Sequence, residues 1–111
     1  MPLLNISTNK KIKNEKGLLK KSSDLISSLL NKPEKFVMVK LSDSLPMYFS
    51  GTDEPCCFIE IKSIGSLFPS KITKSIFEFF SSELEIPVER IYIYFQDVDS
   101  SMWAWKNSTF G

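Results

Sequence analysis

Two stretches of the chain place apolar residues at helical spacing, from Leu18 to Leu30 and from Ile72 to Leu84. Side chains three and four positions apart share one face of an α-helix, so both stretches predict amphipathic helices. Pro33 and Pro87 should end them, because proline disfavours helical geometry in the residue before it. Ser70 is the expected N-cap of the second helix.

Four shorter segments have the composition of β-strands. Residues 57–64 alternate through Glu60 and Lys62, as in a strand with two different faces, and the others are short apolar runs bounded by turn residues. The pattern predicts strands at residues 2–7, 36–41, 57–64 and 91–95.

The order strand, helix, strand occurs twice. Residues 31–37 align with residues 85–91, with proline at the same step and an apolar strand after it. We predict a single α+β domain over residues 1–111, a two-layer sandwich of two pseudo-symmetric βαβ repeats, about 1–55 and 56–111. Its four-stranded mixed sheet carries both helices on one face. Right-handed crossovers make the two strands within each repeat parallel.

The other face of such a sheet has no cover. The residues expected there are apolar, so assembly into an oligomer is the simplest way to bury them. In the alternative, residues 97–111 fold back over the sheet. We favour assembly.

Composition and charge exclude several classes of function. An apolar fraction of 42% with nine Phe indicates a packed core. Fourteen basic against thirteen acidic residues leave a charge of +1, so no nucleic-acid partner is expected. Lysines cluster in the first quarter, which we interpret as a solvated face rather than a membrane or polyanion patch. No run is long enough for a membrane span or suited to a signal peptide, so we expect no membrane partner and a cytoplasmic location, although non-classical export stays open.

The chain has no histidine, which excludes Ser-His and Cys-His nucleophile pairs and removes the usual metal ligand. Metal-ligand spacings and phosphate-binding glycine loops are also absent, so we expect no metal and no cofactor. Cys56 and Cys57 are adjacent, and in a strand their side chains point to opposite faces. We predict two buried free thiols rather than a disulfide.

Candidate chemistry lies at the second residue. Met1 is readily removed when a small residue such as Pro2 follows, and removal would leave Pro2 with a secondary amine. Apolar surroundings disfavour the charged form of an amine, so this nitrogen could act as a base near neutral pH. The alternative is that trimming at a Met-Pro start has no functional consequence.

Several stretches of the sequence together match a known pattern: Met1-Pro2, Lys32-Pro33, Phe49–Gly51, Glu54–Cys56, Ser63–Gly65, Arg90–Ile93 and Trp105–Phe110. On these residues the chain resembles the macrophage migration inhibitory factor (MIF) family, in the tautomerase superfamily with a catalytic amino-terminal proline. The resemblance implies a homotrimer with active sites at subunit boundaries. It also implies cofactor-free keto–enol tautomerisation of aromatic 2-keto acids such as phenylpyruvate, and of dopachrome-like compounds.

The resemblance also implies roles for individual residues. Pro2 would be the general base, and Lys32 would pair with the substrate carboxylate, helped by the backbone N–H of Ile64. Tyr92 of a neighbouring subunit would offer its hydroxyl, and Tyr94 would lie at the rim. The aromatic pocket would consist of Phe36, Trp103, Trp105 and Phe110. In the alternative, Lys32 is only a favourable cation at a helix end, and the carboxy-terminal aromatic residues only cap a core.

Some positions depart from the family pattern. Glu60 replaces a cysteine of the Cys-x-x-Cys pair in some members, so thiol oxidoreductase activity is not expected. Tyr94 replaces an amide, Trp103 a smaller aliphatic residue and Phe36 a tyrosine, which puts substrate preference in question. A rival hypothesis is a MIF-like signalling protein whose receptor is unknown and whose catalysis is vestigial. A third is a competent tautomerase with a different natural substrate.

Overall fold

Four strands form one mixed sheet with two helices on one face in the computed structural model, which describes residues 1–111. The chain also contains three 3₁₀ turns, at Glu34–Phe36, Val88–Arg90 and Ser100–Met102. The helices and strands are β1 (Leu3–Thr8), α1 (Glu15–Leu30), β2 (Met38–Ser42), β3 (Cys57–Ser63), α2 (Pro69–Leu84), β4 (Ile91–Asp97), β5 (Ala104–Trp105) and β6 (Ser108–Thr109).

The strand order in the sheet is β2-β1-β3-β4. β1 is parallel to β2, β3 is parallel to β4, and β1 is antiparallel to β3. The predicted pair of βαβ repeats with parallel internal strands is therefore confirmed. Leu3, at the start of β1, lies between Met38 of β2 and Lys62 of β3. This register brings three chain segments together around the second residue.

The core lies between the sheet and the helices. Every second residue of β1 and β3 is buried, and Ile6 and Ile59 have no exposed surface. From the helices, Ile26, Ile76 and Phe80 are equally buried. Burying one such side chain stabilises the fold by about 1.5–3 kcal/mol, which is why the apolar period in the sequence selects this arrangement. Replacing Phe80 by alanine would cost about 3–5 kcal/mol.

The two helices end with the same geometry. The C-cap residues Asn31 and Glu85 adopt left-handed conformations with φ of 53° and 55°. Each cap comes four residues after a serine of the last turn, and the hydroxyls of Ser27 and Ser81 each donate at 2.6 Å to the carbonyl five residues ahead. Equivalent positions at these turns are therefore 54 residues apart in the sequence.

The strand register extends this equivalence to β1 and β3. Met38 lies beside Leu3, and Tyr92, which is 54 residues after Met38, lies beside Phe58. Pro2, one residue before Leu3, is therefore the counterpart of Cys57. By the same relation Lys32 corresponds to Ile86, and Phe36 corresponds to Arg90.

Several predicted boundaries shift. α1 begins at Glu15, three residues earlier than predicted, because the Asn14 side chain accepts from the Gly17 N–H at 3.0 Å. The prediction of Ser70 as an N-cap is wrong, since α2 begins one residue earlier with Pro69. Proline suits the first helical position because its φ is already helical and no N–H is needed there. β2 begins at residue 38 rather than 36, since residues 34–36 form a 3₁₀ turn.

The composition of the sheet face opposite the helices was predicted incorrectly. Seven of its twelve residues are polar. The Asn5 side chain of β1 donates to the Glu60 carboxylate of the adjacent strand β3 at 3.2 Å. Apolar character alone therefore does not require an oligomer. The twelve are Leu3, Asn5, Ser7, Met38, Lys40, Ser42, Phe58, Glu60, Lys62, Tyr92, Tyr94 and Gln96.

The alternative in which residues 97–111 cover this face is not observed. β5 and β6 pair with each other, and Trp105 packs on Phe36 beside β2. Tyr92 and Tyr94 stay 62% and 48% exposed on β4. The open face therefore remains accessible in the isolated chain.

Candidate active site

A cavity of about 400 Å³ opens where β1 and β2 begin. Its size falls within the usual range of ligand pockets, about 300–1,000 Å³. Apart from one lysine, its walls are apolar. The lining residues are Met1, Pro2, Leu3, Lys35, Phe36, Val37, Met38, Trp103, Ala104, Trp105 and Phe110.

Pro2 is a fully buried residue of this wall. Its carbonyl accepts a hydrogen bond from the Met38 N–H at 3.0 Å, which fixes the residue against the start of β2. The pKa of the Met1 amino group next to it is lowered, first by burial and then by the positive charge of Lys32. A positive charge is therefore disfavoured at this end of the cavity.

Lys32 reaches this region from the end of α1. Its backbone is fixed because its N–H donates to the Ser27 carbonyl at 3.0 Å and its own carbonyl accepts from the Ser27 hydroxyl. Its ammonium group donates to the Ile64 carbonyl at 3.3 Å. Lys32 does not line the cavity itself, but its charge lowers the pKa of the Met1 amine.

Ile64 follows the last residue of β3 and is fixed by its neighbours. The Gly65 N–H donates to the Asp97 carboxylate at 3.0 Å, and the Val98 N–H donates to the Ser63 carbonyl at 2.8 Å. The N–H of Ile64 donates to no acceptor within the chain. It is therefore a free backbone donor next to the Lys32 ammonium group.

Three aromatic rings form a continuous wall. Phe36 meets Trp105 edge to face, with ring centroids 5.7 Å apart. Trp105 stacks on Phe110 at 6.5 Å with an interplanar angle of 16°. Trp103 joins this group because its carbonyl accepts from the Phe110 N–H at 3.0 Å. These side chains lie outside the main hydrophobic core, so they do not act simply as its cap.

The hairpin of β5 and β6 holds this wall in place. Its turn residues Lys106 and Asn107 have φ values of 51° and 67°. Such conformations suit a tight two-residue hairpin turn. The turn directs the chain back so that Phe110 reaches Trp105.

Tyr92 and Tyr94 do not line the cavity of their own chain. Tyr92 instead packs against Phe49, with ring centroids 4.8 Å apart. The guanidinium carbon of Arg90 also lies over the Phe49 ring, 5.2 Å from its centroid. Both tyrosines face outward from β4, the edge strand farthest from β2. They therefore contribute nothing to the cavity of their own chain.

Sequence reasoning missed several wall residues, of which Lys35 is the only charged one. Leu3, Val37 and Met38 could have been found from the parallel pairing of β1 with β2, which brings their segments side by side. Ala104 and Lys35 gave no signal, because their positions depend on a two-residue strand and a 3₁₀ turn.

Other chemistry-bearing groups are not part of this site. Cys56 and Cys57 are buried and unbridged, as predicted. The chain has no group of three or more Cys, Asp or Glu side chains placed to hold a metal ion. None of its helices is long and apolar enough to cross a membrane.

The family model for macrophage migration inhibitory factor (MIF) matches residues 1–111. The chain belongs to the MIF family. A MIF homolog of Brugia malayi is 35% identical to this MIF-family chain over 116 residues, covering all of both sequences. A homolog of Trichuris trichiura is 34% identical and covers 99% of this chain and all of the relative.

Solved structures of MIF-family proteins match the fold as closely. A homologue from Prochlorococcus marinus superimposes with a TM-score of 0.92 at 40% identity, covering 98% of this chain and 99% of that one. The Toxoplasma gondii protein gives a TM-score of 0.88 at 31% identity, over 97% and 99%. The predicted family and the α+β tautomerase fold are therefore confirmed for this MIF-family chain.

Proposed function

We propose that this chain is a cofactor-independent keto–enol tautomerase of aromatic 2-keto acids such as phenylpyruvate, with dopachrome-like compounds as further substrates. Pro2 is the general base once Met1 has been removed. The observation that carries the proposal is the full burial of Pro2 in the wall of an aromatic-lined cavity, next to a cation.

The reaction needs a neutral amine near pH 7. Burial and the Lys32 charge already lower the pKa of the Met1 amino group. Removal of Met1 moves the amine one residue inward, onto the fully buried Pro2. Both causes act there in the same direction, since each disfavours a positive charge. The free base is then well populated at neutral pH and suited to proton transfer.

In the proposed step, the lone pair of the Pro2 nitrogen takes a proton from the carbon next to the keto group. The electrons of that C–H bond form the C=C bond of the enol, and the keto oxygen receives the proton. The reverse step restores the ketone. Lys32 pairs with the substrate carboxylate, and the unpaired Ile64 N–H donates a hydrogen bond to it. The rings of Phe36, Trp105 and Phe110 hold the aromatic group.

We further infer a homotrimer in which each cavity receives residues of a neighbour. The support is family membership together with the position of Tyr92 and Tyr94, exposed on an edge strand away from their own cavity. The tyrosine hydroxyl of Tyr92 would bind the polar end of the substrate, and Tyr94 would shape the rim. Sedimentation equilibrium tests the assembly, and a monomeric mass at working concentration would contradict it.

The test of the proposal is Pro2→Gly, which keeps an amine but replaces the secondary one, and which still allows removal of Met1. We expect phenylpyruvate turnover to fall about 10²–10⁴-fold, the usual contribution of a positioned base. Cys57→Ala, at the equivalent position of the second repeat, is the matched control and should keep its turnover per folded molecule. Intact mass must show that Met1 is absent from all three proteins. Undiminished turnover in Pro2→Gly would contradict the proposal.

A further inference from the structure

Lys35 is the one charged side chain in the cavity wall, and it has no carboxylate partner. The other ten lining residues are apolar. The chain has only two ion pairs, Lys10 with Glu85 and Lys21 with Glu83, so Lys35 belongs to none. Its ammonium group lies 5.1 Å from the centroid of the Phe36 ring. That contact uses the ring face and leaves the N–H donors of the ammonium group available.

The sheet places two cations on opposite sides of Pro2. β1 lies between β2 and β3, so the start of β1 is flanked by the start of β2 and the end of β3. Lys35 lies on the β2 side, three residues before that strand begins. The ammonium group of Lys32 lies on the β3 side, where it donates to the Ile64 carbonyl.

The aromatic wall lies on the Lys35 side. Phe36 contacts both the Lys35 ammonium group and the Trp105 ring. A planar ligand whose carboxylate meets Lys32 and Ile64 would therefore extend its ring along Phe36. The far end of that ring would then approach Lys35.

We propose that Lys35 forms a second anion subsite, so that the cavity takes aromatic acids with an anionic group at each end. This inference rests on the proposed function, because it uses the same cavity and the same orientation of the substrate. One carboxylate meets Lys32 and the Ile64 N–H, and the second, carried on the ring, meets Lys35. Lys35 is exposed to solvent, so its pairing with the second carboxylate is screened by water and salt and should be of modest strength.

Lys106 provides a matched comparison on the outside of the same wall. Its ammonium group lies 4.7 Å from the centroid of the Trp105 ring, a contact of the same type as that of Lys35. Lys106 does not line the cavity. Neutralising it removes an equal charge near the site without changing the walls.

The test measures binding of two probes, benzoate and benzene-1,4-dicarboxylate, by quenching of tryptophan fluorescence. The only two tryptophans of the chain, Trp103 and Trp105, both line the cavity. At low salt we expect the wild type to bind the dicarboxylate about fivefold more tightly than benzoate, the size of effect a single exposed ion pair gives. Lys35→Gln should abolish that preference. Lys35→Arg and Lys106→Gln should keep it.

The inference is overturned if the wild type binds both probes equally or not at all, or if the preference survives in Lys35→Gln. Raising the salt to about 0.5 M should reduce the preference in the wild type, and a salt-independent preference would also contradict it. Binding requires no turnover, so the outcome is separate from that of the proposed function. If the wild type shows no preference for the dicarboxylate while Pro2→Gly is inactive, the subsite alone is refuted. If a Lys35-dependent preference is found while Pro2→Gly is fully active, the tautomerase alone is refuted.

Discussion

Pro2 and Cys57 occupy equivalent places in the two repeats, and burial has opposite chemical consequences at them. At the first, burial together with the Lys32 charge lowers the pKa of the neighbouring amine at Met1. At the second, burial raises the pKa of the Cys57 thiol to about 12, with a further contribution from Cys56. Low polarity favours the neutral form in both cases. A neutral amine is a base, whereas a neutral thiol is unreactive.

The surroundings of the two positions differ in the same sense. Lys32 of the first repeat corresponds to Ile86, which is buried at 1% exposure. Phe36, which lines the cavity, corresponds to Arg90, whose guanidinium group donates to the carbonyls of Phe49, Glu54 and Pro55. The loop of residues 49–55 is thus fixed beside the second repeat by an arginine, where the first repeat has a cavity.

The comparison separates what the fold requires from what the site requires. The Ser27 and Ser81 hydroxyl contacts and the left-handed C-caps are common to both repeats, so they belong to the architecture. The amine and the cation occur in the first repeat only, and the aromatic wall forms beside them from Phe36 of that repeat together with Trp103, Trp105 and Phe110 near the carboxy terminus. Changes to the residues of the site should therefore affect activity, and changes to the residues of the architecture should affect stability, but neither should affect both.

Apart from changes at Pro2 itself, the largest effect is expected in Lys32→Ile, which gives the first repeat the residue of the second at the cation position. Loss of a charged partner for the substrate carboxylate should raise KM about 10- to 100-fold. The Lys32 charge lowers the pKa of the Met1 amine, after burial, and we expect it to act on the Pro2 amine in the same direction. The apparent pKa of the rate profile should therefore also rise in this variant, so that activity at neutral pH falls further. Steady-state kinetics across pH measure both effects.

Lys71→Ile is the control for that variant, because Lys71 is an exposed cation on Phe68, 5.2 Å from its ring, and lies outside the cavity. A pH profile in Lys32→Ile that is unchanged from the wild type would show that this charge does not act on the base.

In the second repeat, Arg90→Ala should destabilise the fold by about 1–3 kcal/mol, because three carbonyls of residues 49–55 lose their donor. Two of the three bonds are solvent-exposed, which limits the cost. Denaturant unfolding at fixed protein concentration measures the change. The benzoate affinity of the folded protein should stay the same. A stability within about 0.5 kcal/mol of the wild type would contradict a structural role for this arginine.

The smallest effect concerns the two left-handed C-caps. Glu85→Gly should stabilise the protein by about 0.5 kcal/mol, since glycine adopts positive φ without the steric cost of a side chain. Asn31→Gly should change stability less, because asparagine tolerates this conformation. Thermal unfolding of the two variants side by side provides the measurement. Equal gains in both variants would contradict the expected advantage of asparagine over glutamate in this conformation.

The periodic part of the fold was predictable from sequence because burial sets it. The apolar spacing located both helices and all four long strands, and the repeated proline turn revealed the internal symmetry. The Ser70 cap was predicted wrongly because a serine and the proline before it are both favourable at a helix start, and the proline determined the boundary. The polar character of the open face was missed. Alternation of apolar and polar residues indicates that a strand has two different faces, but it does not indicate what covers each face.

The candidate site was predictable only in part, and for a different reason. Pro2, Phe36, Trp103, Trp105 and Phe110 were expected from the family resemblance, and the structure brings them together around one cavity. Lys35 was not expected, because its place in the wall depends on a three-residue 3₁₀ turn that has no periodic signal.

The central claim is that the nitrogen of Pro2, freed by removal of Met1, is neutral at physiological pH. An NMR titration of ¹⁵N-labelled Pro2, on protein whose intact mass lacks Met1, measures this directly. We predict a midpoint below that of an ordinary α-amino group, about 7.7–8.0, because burial and Lys32 both disfavour the charge. A midpoint at or above that range, or a Pro2 nitrogen still acylated by Met1 in the mature protein, would contradict the account.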